Sequence, residues 1–319
     1  MSYSSRIFIY GPVSLLLLII VLYSVYWRVE ADTLAARLDR ANGGEVIPGL
    51  DFAFAEKSVG GYPFQLDAVL TGVTFTHQAP EGEMMWSTEK LALHMLSYGP
   101  NRYIFEVTGL QSFSGPPRPP GSVPRLIVVT PAIARASAMV SNGRLARFDL
   151  DLWQPQGKDA TTGADPNRVF SADRAQLHLL SRPDDTIDVA MRIDNAHLGA
   201  GYAAGNSEID LRLIDLRAKV TQSEALNGLR AAETGLADAV DSWRARMGAL
   251  AVSDLSLTWP DAHADLQGAV ALDGADRLTG VLKGMRVENA KPPAGFALTF
   301  ADGELRPMPA SAAPARAAP

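Results

Sequence analysis

Residues 7–27 read IFIYGPVSLLLLIIVLYSVYW, with no charged side chain among them. An α-helix rises 1.5 Å per residue, so about 20 apolar residues cross a hydrocarbon layer of about 30 Å. The run meets that length, and it makes a membrane-crossing helix the first element and the bilayer a partner. Arg6 precedes it, and Arg28, Glu30 and Asp32 follow it. Tyr23, Tyr26 and Trp27 gather at its far end, where amphipathic rings favour the headgroup layer. A cleaved signal peptide has a shorter apolar core, about 7 to 15 residues, and a small-x-small site after it. Here the run is longer and ends in Val-Tyr-Trp-Arg-Val-Glu, so a retained anchor over residues 1–28 is expected. A short N-terminus, one span and a long remainder predict that the chain from about residue 30 onward is exported.

Beyond the anchor the sequence predicts a short stalk helix over residues 29–44. Leu34 and Leu38 are four apart, and Asn42-Gly43-Gly44 stops the pattern. Period two then takes over. Leu50, Phe52 and Phe54 alternate, as do Phe64, Leu66, Ala68 and Leu70. Val73 and Phe75 continue in the opposite phase, which predicts a bulge or bend at Thr71-Gly72. Ile187, Val189, Met191 and Ile193 face one way and Asp188, Arg192 and Asp194 the other, so this strand has a dry and a wet face. A second phase flip at Leu213-Ile214 predicts another bulge or bend. Asn142-Gly143, Pro183-Asp184-Asp185 and Asp302-Gly303 read as turns. The segment Gly115-Pro-Pro-Arg-Pro-Pro-Gly121 is excluded from a central strand. Residues 155–167 carry no period and read as a mobile loop, and residues 307–319 as a disordered Ala/Pro tail.

One helical stripe interrupts the strands. Leu226, Leu229, Leu236, Val240, Trp243, Met247 and Leu250 are spaced 3, 7, 4, 3, 4 and 3 apart, which predicts one long helix over about 223–250. Such a stripe packs on a sheet or caps one end of it. The expected fold is therefore mainly β with one long helix (α+β): a single N-terminal transmembrane helix, then an antiparallel sheet domain over 45–306.

Chemistry is harder to find. The chain has no cysteine, which excludes disulfides, Cys-ligated zinc, iron–sulfur clusters and thiol nucleophiles. A net charge of −6 and a pI near 5.4 argue against nucleic acid as a partner. The histidines, at 77, 94, 178, 197 and 263, have neither His-x-His nor i, i+4 spacing, so no metal site is expected. Gly199-Ala-Gly201-Tyr-Ala-Ala-Gly205 has no helix after it and reads as a turn rather than a dinucleotide fingerprint. Asp149 and Asp151 share one side of a strand whose other side is Phe-Leu-Leu, so they read as its solvated side rather than an acid/base pair. No catalytic residue, cofactor or metal ligand is assigned, and no enzymatic activity is expected.

Two segments stand out. Gly60-Gly61-Tyr62-Pro63-Phe64 leads directly into a strand and reads as a structural corner with Tyr62 and Phe64 as core anchors. Trp86 opens a strand that ends in a turn at Tyr98-Gly99-Pro100. In this order, with the span, Gly61-Tyr62-Pro63-Phe64, Trp86, Tyr98 and the later block from Trp243 through Leu255-Ser-Leu257-Thr-Trp259 to Leu282, the chain resembles the family catalogued as domain of unknown function 2125. The resemblance covers most of residues 1–305. It implies an anchored envelope protein of a Gram-negative bacterium, on the inner membrane with its bulk in the periplasm, and it implies no established activity. The family pattern has a further helix before its closing strands, and residues 285–295 are too short and proline-bearing for one. Two functions follow as expectations. One is a structural or interaction protein of the cell envelope, its partner another envelope protein. The alternative is a module that binds or transfers a lipid or other amphiphile along an apolar β-groove.

Overall fold

The computed structural model describes residues 4–79, 82–116, 124–162, 167–200, 207–288, 292–301 and 303–309. Helix α1 spans Ser4–Ala41. Among the described residues nineteen strands follow. They are β1 (Gly44–Ile47), β2 (Leu50–Ala53), β3 (Glu56–Gly60), β4 (Gln65–Ala79), β5 (Gly82–Leu96), β6 (Gly99–Gly115), β7 (Arg125–Thr130), β8 (Ile133–Ser141), β9 (Arg144–Trp153) and β10 (Gln156–Asp159). Then come β11 (Asn167–Ser171), β12 (Arg174–Ser181), β13 (Ile187–Leu198), β14 (Ile209–Val220), β15 (Ala249–Thr258), β16 (Ala262–Leu272), β17 (Leu278–Glu288), β18 (Ala294–Ala301) and β19 (Glu304–Pro309). All belong to one sheet and every pairing is antiparallel, so the fold is mainly β with one long N-terminal helix long and apolar enough to span a membrane.

The sheet starts with β1 on β2, and β2 and β3 lie side by side on β4, from which it runs through β5 to β6. There it forks. The first half of β6 pairs with β8 and the second half with β7. One lane continues β8–β9–β12 and the other β7–β10–β11, and both rejoin on β13. From β13 single pairings lead to β19.

A line of backbone breaks crosses the sheet between the lanes. Gly72, Gly109, Gln154 and Asn195 all have positive φ, at 59°, 89°, 47° and 50°. Gln154 N donates to Asp173 O, and Asp173 N to Asp194 O, stitching that line. The phase flip at Thr71-Gly72 sits on it. Leu70 and Val73 are both buried, 3% and 0% exposed, so the bend returns the apolar residues to one side. The flip at Leu213-Ile214 sits there too, with unbroken β13–β14 register, and the positive φ falls at Asn195 across the ladder.

Helix α1 ends where the sequence stops it. Asn42 N donates to Leu38 O, and Gly43 takes the left-handed conformation at φ 78° that a helix C-terminus favours. Its second half differs from a stalk. Trp27, Ala31, Leu34 and Leu38, spaced 4, 3 and 4, lie on Leu66, Ala68, Leu93 and Met95, so this half covers the first strands directly.

The helix expected over 223–250 is three short pieces: a 3-10 turn Ser223–Leu226, α2 (Asn227–Arg230) and α3 (Leu236–Ala245), with β15 already begun at Ala249. The break falls in the gap of seven between Leu229 and Leu236. Ala232 and Met247 have positive φ, and a side chain at Gly235 would meet Pro48 O at 2.7 Å. Leu236 and Met247 are exposed, 52% and 87%, so these pieces cap one end of the sheet and leave its face uncovered.

Within the expected loop over 155–167, residues 163–166 lie outside the described residues, and Gln156–Asp159 form β10, which pairs with both β7 and β11. Gly157 makes this possible, because the Phe170 ring lies where its side chain would be. Of the expected tail, residues 307–309 pair with β18, and 310–319 lie outside the described residues. Asn142-Gly143 is a hairpin turn with φ 51° and 72°. The proline run, the Gly201–Gly205 part of the glycine segment and Asp302 fall mostly or wholly outside the described residues.

Candidate functional site

The residues singled out in the sequence go to four places. Gly61, Tyr62, Pro63, Phe64 and Tyr98 meet at the end of the sheet where α1 loses its bare surface. Val21 and Leu22 are 58% and 60% exposed, while Trp27 is 9%. Between them the helix is tied to the β3–β4 and β5–β6 turns. Tyr23 Oη donates to Pro63 O, Ser24 Oγ and Tyr62 Oη bond at 2.7 Å, Tyr26 Oη donates to Ser97 O at 2.9 Å, and Trp27 Nε1 to Gln65 O at 2.8 Å. Gly61 is obligatory at φ 97°, since a Cβ would sit 2.8 Å from Gln65 O. Tyr62 and Phe64 are not core anchors: they are 51% and 68% exposed, and Tyr98 is 68% exposed. The turn lifts these rings outward beside the helix, an arrangement period-two reasoning does not see.

Trp86 stacks between Phe75 and Phe113, with ring centroids 5.4 and 6.4 Å away. Trp243 anchors the cap, its Nε1 donating to Thr221 O at 2.7 Å. Trp259 meets Phe296 edge to face at 6.3 Å and lies under the Arg286 guanidinium at 5.1 Å. These three are packing residues in separate places.

What the sequence could not display is how the strand phases line up. One row of residues facing the same side runs Ala68, Leu93, Phe105, Ala136, Leu150, Leu177, Met191, Leu216, Leu255, Leu266, Gly284, Phe296, paired strand to strand. The row on one side of it includes Leu66, Met95, Tyr103, Ala138, Phe148, Leu179, Val189, Ala218 and Val252. On the other side lie Leu70, Leu91, Val107, Ala134, Leu152, Ala175, Ile193, Ile214 and Leu257. None of these residues is charged. Twelve strands at about 4.8 Å spacing make the apolar strip about 50 Å long.

Its burial is uneven. At one end α1 covers Leu66, Ala68 and Leu70. At the other, Leu211, Val252, Leu266, Leu282 and Leu298 bury one another across β14–β18. The middle of the strip, with Phe148, Leu150, Leu177, Leu179 and Met191, is half-buried and belongs to neither core.

The opposite side of those same middle strands is an ion-pair ladder. Arg147 and His178 both reach Asp149, at 2.8 and 2.7 Å, and Arg174 grips Asp151 through two 2.8 Å bonds. Arg192 pairs with Asp194 at 2.9 Å. Burial works against the Asp149 charge, but hydrogen bonds from Arg147, His178 and Ser137 hold its carboxyl below the usual range. The bond from Arg174 does the same for Asp151. The two aspartates are therefore structural partners on the wet face. Four histidines stand beside an aspartate here and elsewhere, His94 with Asp67, His178 with Asp149, His197 with Asp210 and His263 with Asp265, and His77 bonds Gly49 O.

The arrangement can hold an apolar molecule on one side of the sheet and stay hydrated on the other. The model of a family described as an uncharacterized protein conserved in bacteria (DUF2125) matches residues 27–292. The chain belongs to that family. No curated protein and no solved structure matches it.

Proposed function

We propose that this DUF2125 protein is a membrane-anchored lipid-binding module of the bacterial envelope, with no reaction of its own. One observation carries the reading: the uncharged strip is continuous across twelve strands, yet in its middle Phe148, Leu150, Leu177, Leu179 and Met191 are only half-buried, and among the described residues they belong to neither core. Water against contiguous, only half-buried Leu, Phe and Met is costly, and patches of this kind mark binding surfaces. Four strands span about 15 Å, which matches the acyl layer of one leaflet, half of a hydrocarbon core of about 30 Å. The occupant is an acyl chain rather than a protein segment, because the strip continues toward the helix that crosses the bilayer. The exposed Tyr62, Phe64 and Tyr98 stand beside Tyr23 and Tyr26, where aromatic rings favour the headgroup layer. The sheet then lies in the periplasm, against the inner membrane, with its strip opening near the lipid.

The test is to purify the full chain in detergent, exchange it into amphipol, and analyse organic extracts by mass spectrometry. Retained lipid near one per chain is the expected result. Leu177→Asp should abolish retention while circular dichroism stays unchanged. Lipid-free extracts from the wild-type chain would sink the reading, as would a Leu177→Asp chain that simply unfolds. A C-terminal alkaline phosphatase fusion should be active in cells, and an inactive fusion would overturn the periplasmic placement.

A further inference from the structure

The inward row of β12, Ala175, Leu177 and Leu179, continues by period two to Ser181, and there the apolar strip stops. Ser181 lies in the wall of a cavity of about 420 Å3 at the hairpins of the sheet end. Arg144, Arg182 and Arg230 also line it. Arg182 donates to Asp188. Arg230, half-buried, donates instead to neutral oxygens, Leu145 O at 2.9 Å and Asn227 Oδ1 at 3.0 Å. Burial lowers its pKa first, and the like charge of Arg144 lowers it further, with no carboxylate acting on it. Arg144 is exposed and makes no ion pair among the described residues.

Two acids share the wall, and neither is bonded to Arg144 or Arg230 among the described residues. Asp185 accepts from Ser223 Oγ at 3.2 Å and from the Glu224 amide, and Glu224 faces Arg246 at 3.9 Å. The wall thus holds three arginines against two acids, and among the described residues neither acid bonds to the guanidinium groups of Arg144 and Arg230. Repulsion between them costs free energy that a bound anion would remove, and guanidinium forks match phosphate oxygens in charge and geometry.

We propose that this cavity binds a phosphate group through Arg144 and Arg230, and that the phosphate is the headgroup of a lipid whose chains lie on the adjoining apolar strip. The headgroup source rests on the lipid-binding reading above; the anion cavity does not. Full-length protein in amphipol is titrated calorimetrically with three probes: dihexanoyl phosphatidylglycerol, uncharged dihexanoylglycerol, and inorganic phosphate. Arg144→Gln should weaken phosphatidylglycerol binding about five- to tenfold, the size of one charge-assisted contact. The same change should leave dihexanoylglycerol unaffected, and Arg144→Lys should recover part of the loss. Phosphatidylglycerol affinity unchanged in both Arg144→Gln and Arg230→Gln overturns the cavity. Should Arg230→Gln fail to fold, an unchanged affinity in Arg144→Glu overturns it equally, since that exposed side chain supports no packing. Inorganic phosphate binding as tightly as the lipid overturns the headgroup source and assigns the cavity to free phosphate. Wild-type protein that binds phosphate but neither lipid defeats the apolar-strip reading and leaves the cavity supported.

Discussion

Leu66, Ala68 and Leu70 in β4 share one side of the sheet with Leu177 and Leu179 in β12, in the same paired rows. The first three are 3%, 0% and 3% exposed, and the second pair is only half-buried. Residue type, strand geometry and cross-strand neighbours are alike in the two regions, so none of them accounts for the difference. Cover does. Trp27, Ala31 and Leu34 of α1 lie over β4, whereas the short helical pieces after β14 sit at the hairpin end of β9 and β12, and no residue of theirs belongs to a core cluster with Leu177 or Leu179. An apolar strand face thus reports where water is disfavoured, and a separate element decides whether protein or a ligand excludes it.

That contrast can be broken, beginning where the effect is largest. Removing the cover at its best-anchored point, Trp27→Ala, deletes a buried indole and its bond to Gln65 O. A loss of about 3–5 kcal/mol is expected, read as a fall in the urea midpoint. A loss below about 1 kcal/mol would mean that α1 does not seal β4. Leu266→Ala, at the self-sealed end, should cost about 2–4 kcal/mol by leaving a cavity in the β14–β18 core. The middle should be far more tolerant. Leu150→Ala is expected to cost about 1 kcal/mol, because its side chain is already part-hydrated. Equal costs for Leu150→Ala and Leu266→Ala would show the middle to be a closed core.

The smallest effect is electrostatic. Asp273 accepts from the Arg277 and Ala275 amides and from the Arg277 side chain, with the Arg277 amide the largest cause, and its pKa falls from 3.8 to about 2. A carboxyl lowered in the folded state contributes stability above its unfolded pKa and loses it as pH falls toward the folded value. The wild-type midpoint should therefore drop between pH 4 and pH 2 more steeply than that of Asp273→Asn. Parallel curves would remove Asp273 from the account. Asp149 and Asp151, lowered in the middle ladder, add to the same acid loss.

Much of this was legible in the chain. Uncharged residues 7–27 require a helix, and Asn42-Gly43 requires its end. Alternation at 187–194 requires a two-faced strand, and Asn142-Gly143 requires a hairpin. Other features misled for physical reasons. The stripe from Leu226 to Leu250 keeps helical spacing only if a gap of seven is ignored, and Gly228, Gly235 and Gly248 already punctuate it. Gly157 conceals a strand because its missing side chain is replaced by the Phe170 ring. Tyr62 and Phe64 looked like core by type, yet they stand outside because a turn, not a strand, carries them.

Local chemistry determined the elements: which segment is long and apolar enough to cross lipid, which strands have a dry side, where the chain turns. Only the tertiary structure decided that the dry sides of twelve strands join into one strip, that α1 covers its first strands, and that Arg144 and Arg230 stand together at its edge. Periodicity is a property of neighbours in the chain, whereas cover and charge proximity arise between residues up to 86 positions apart and exist only once the strands are registered.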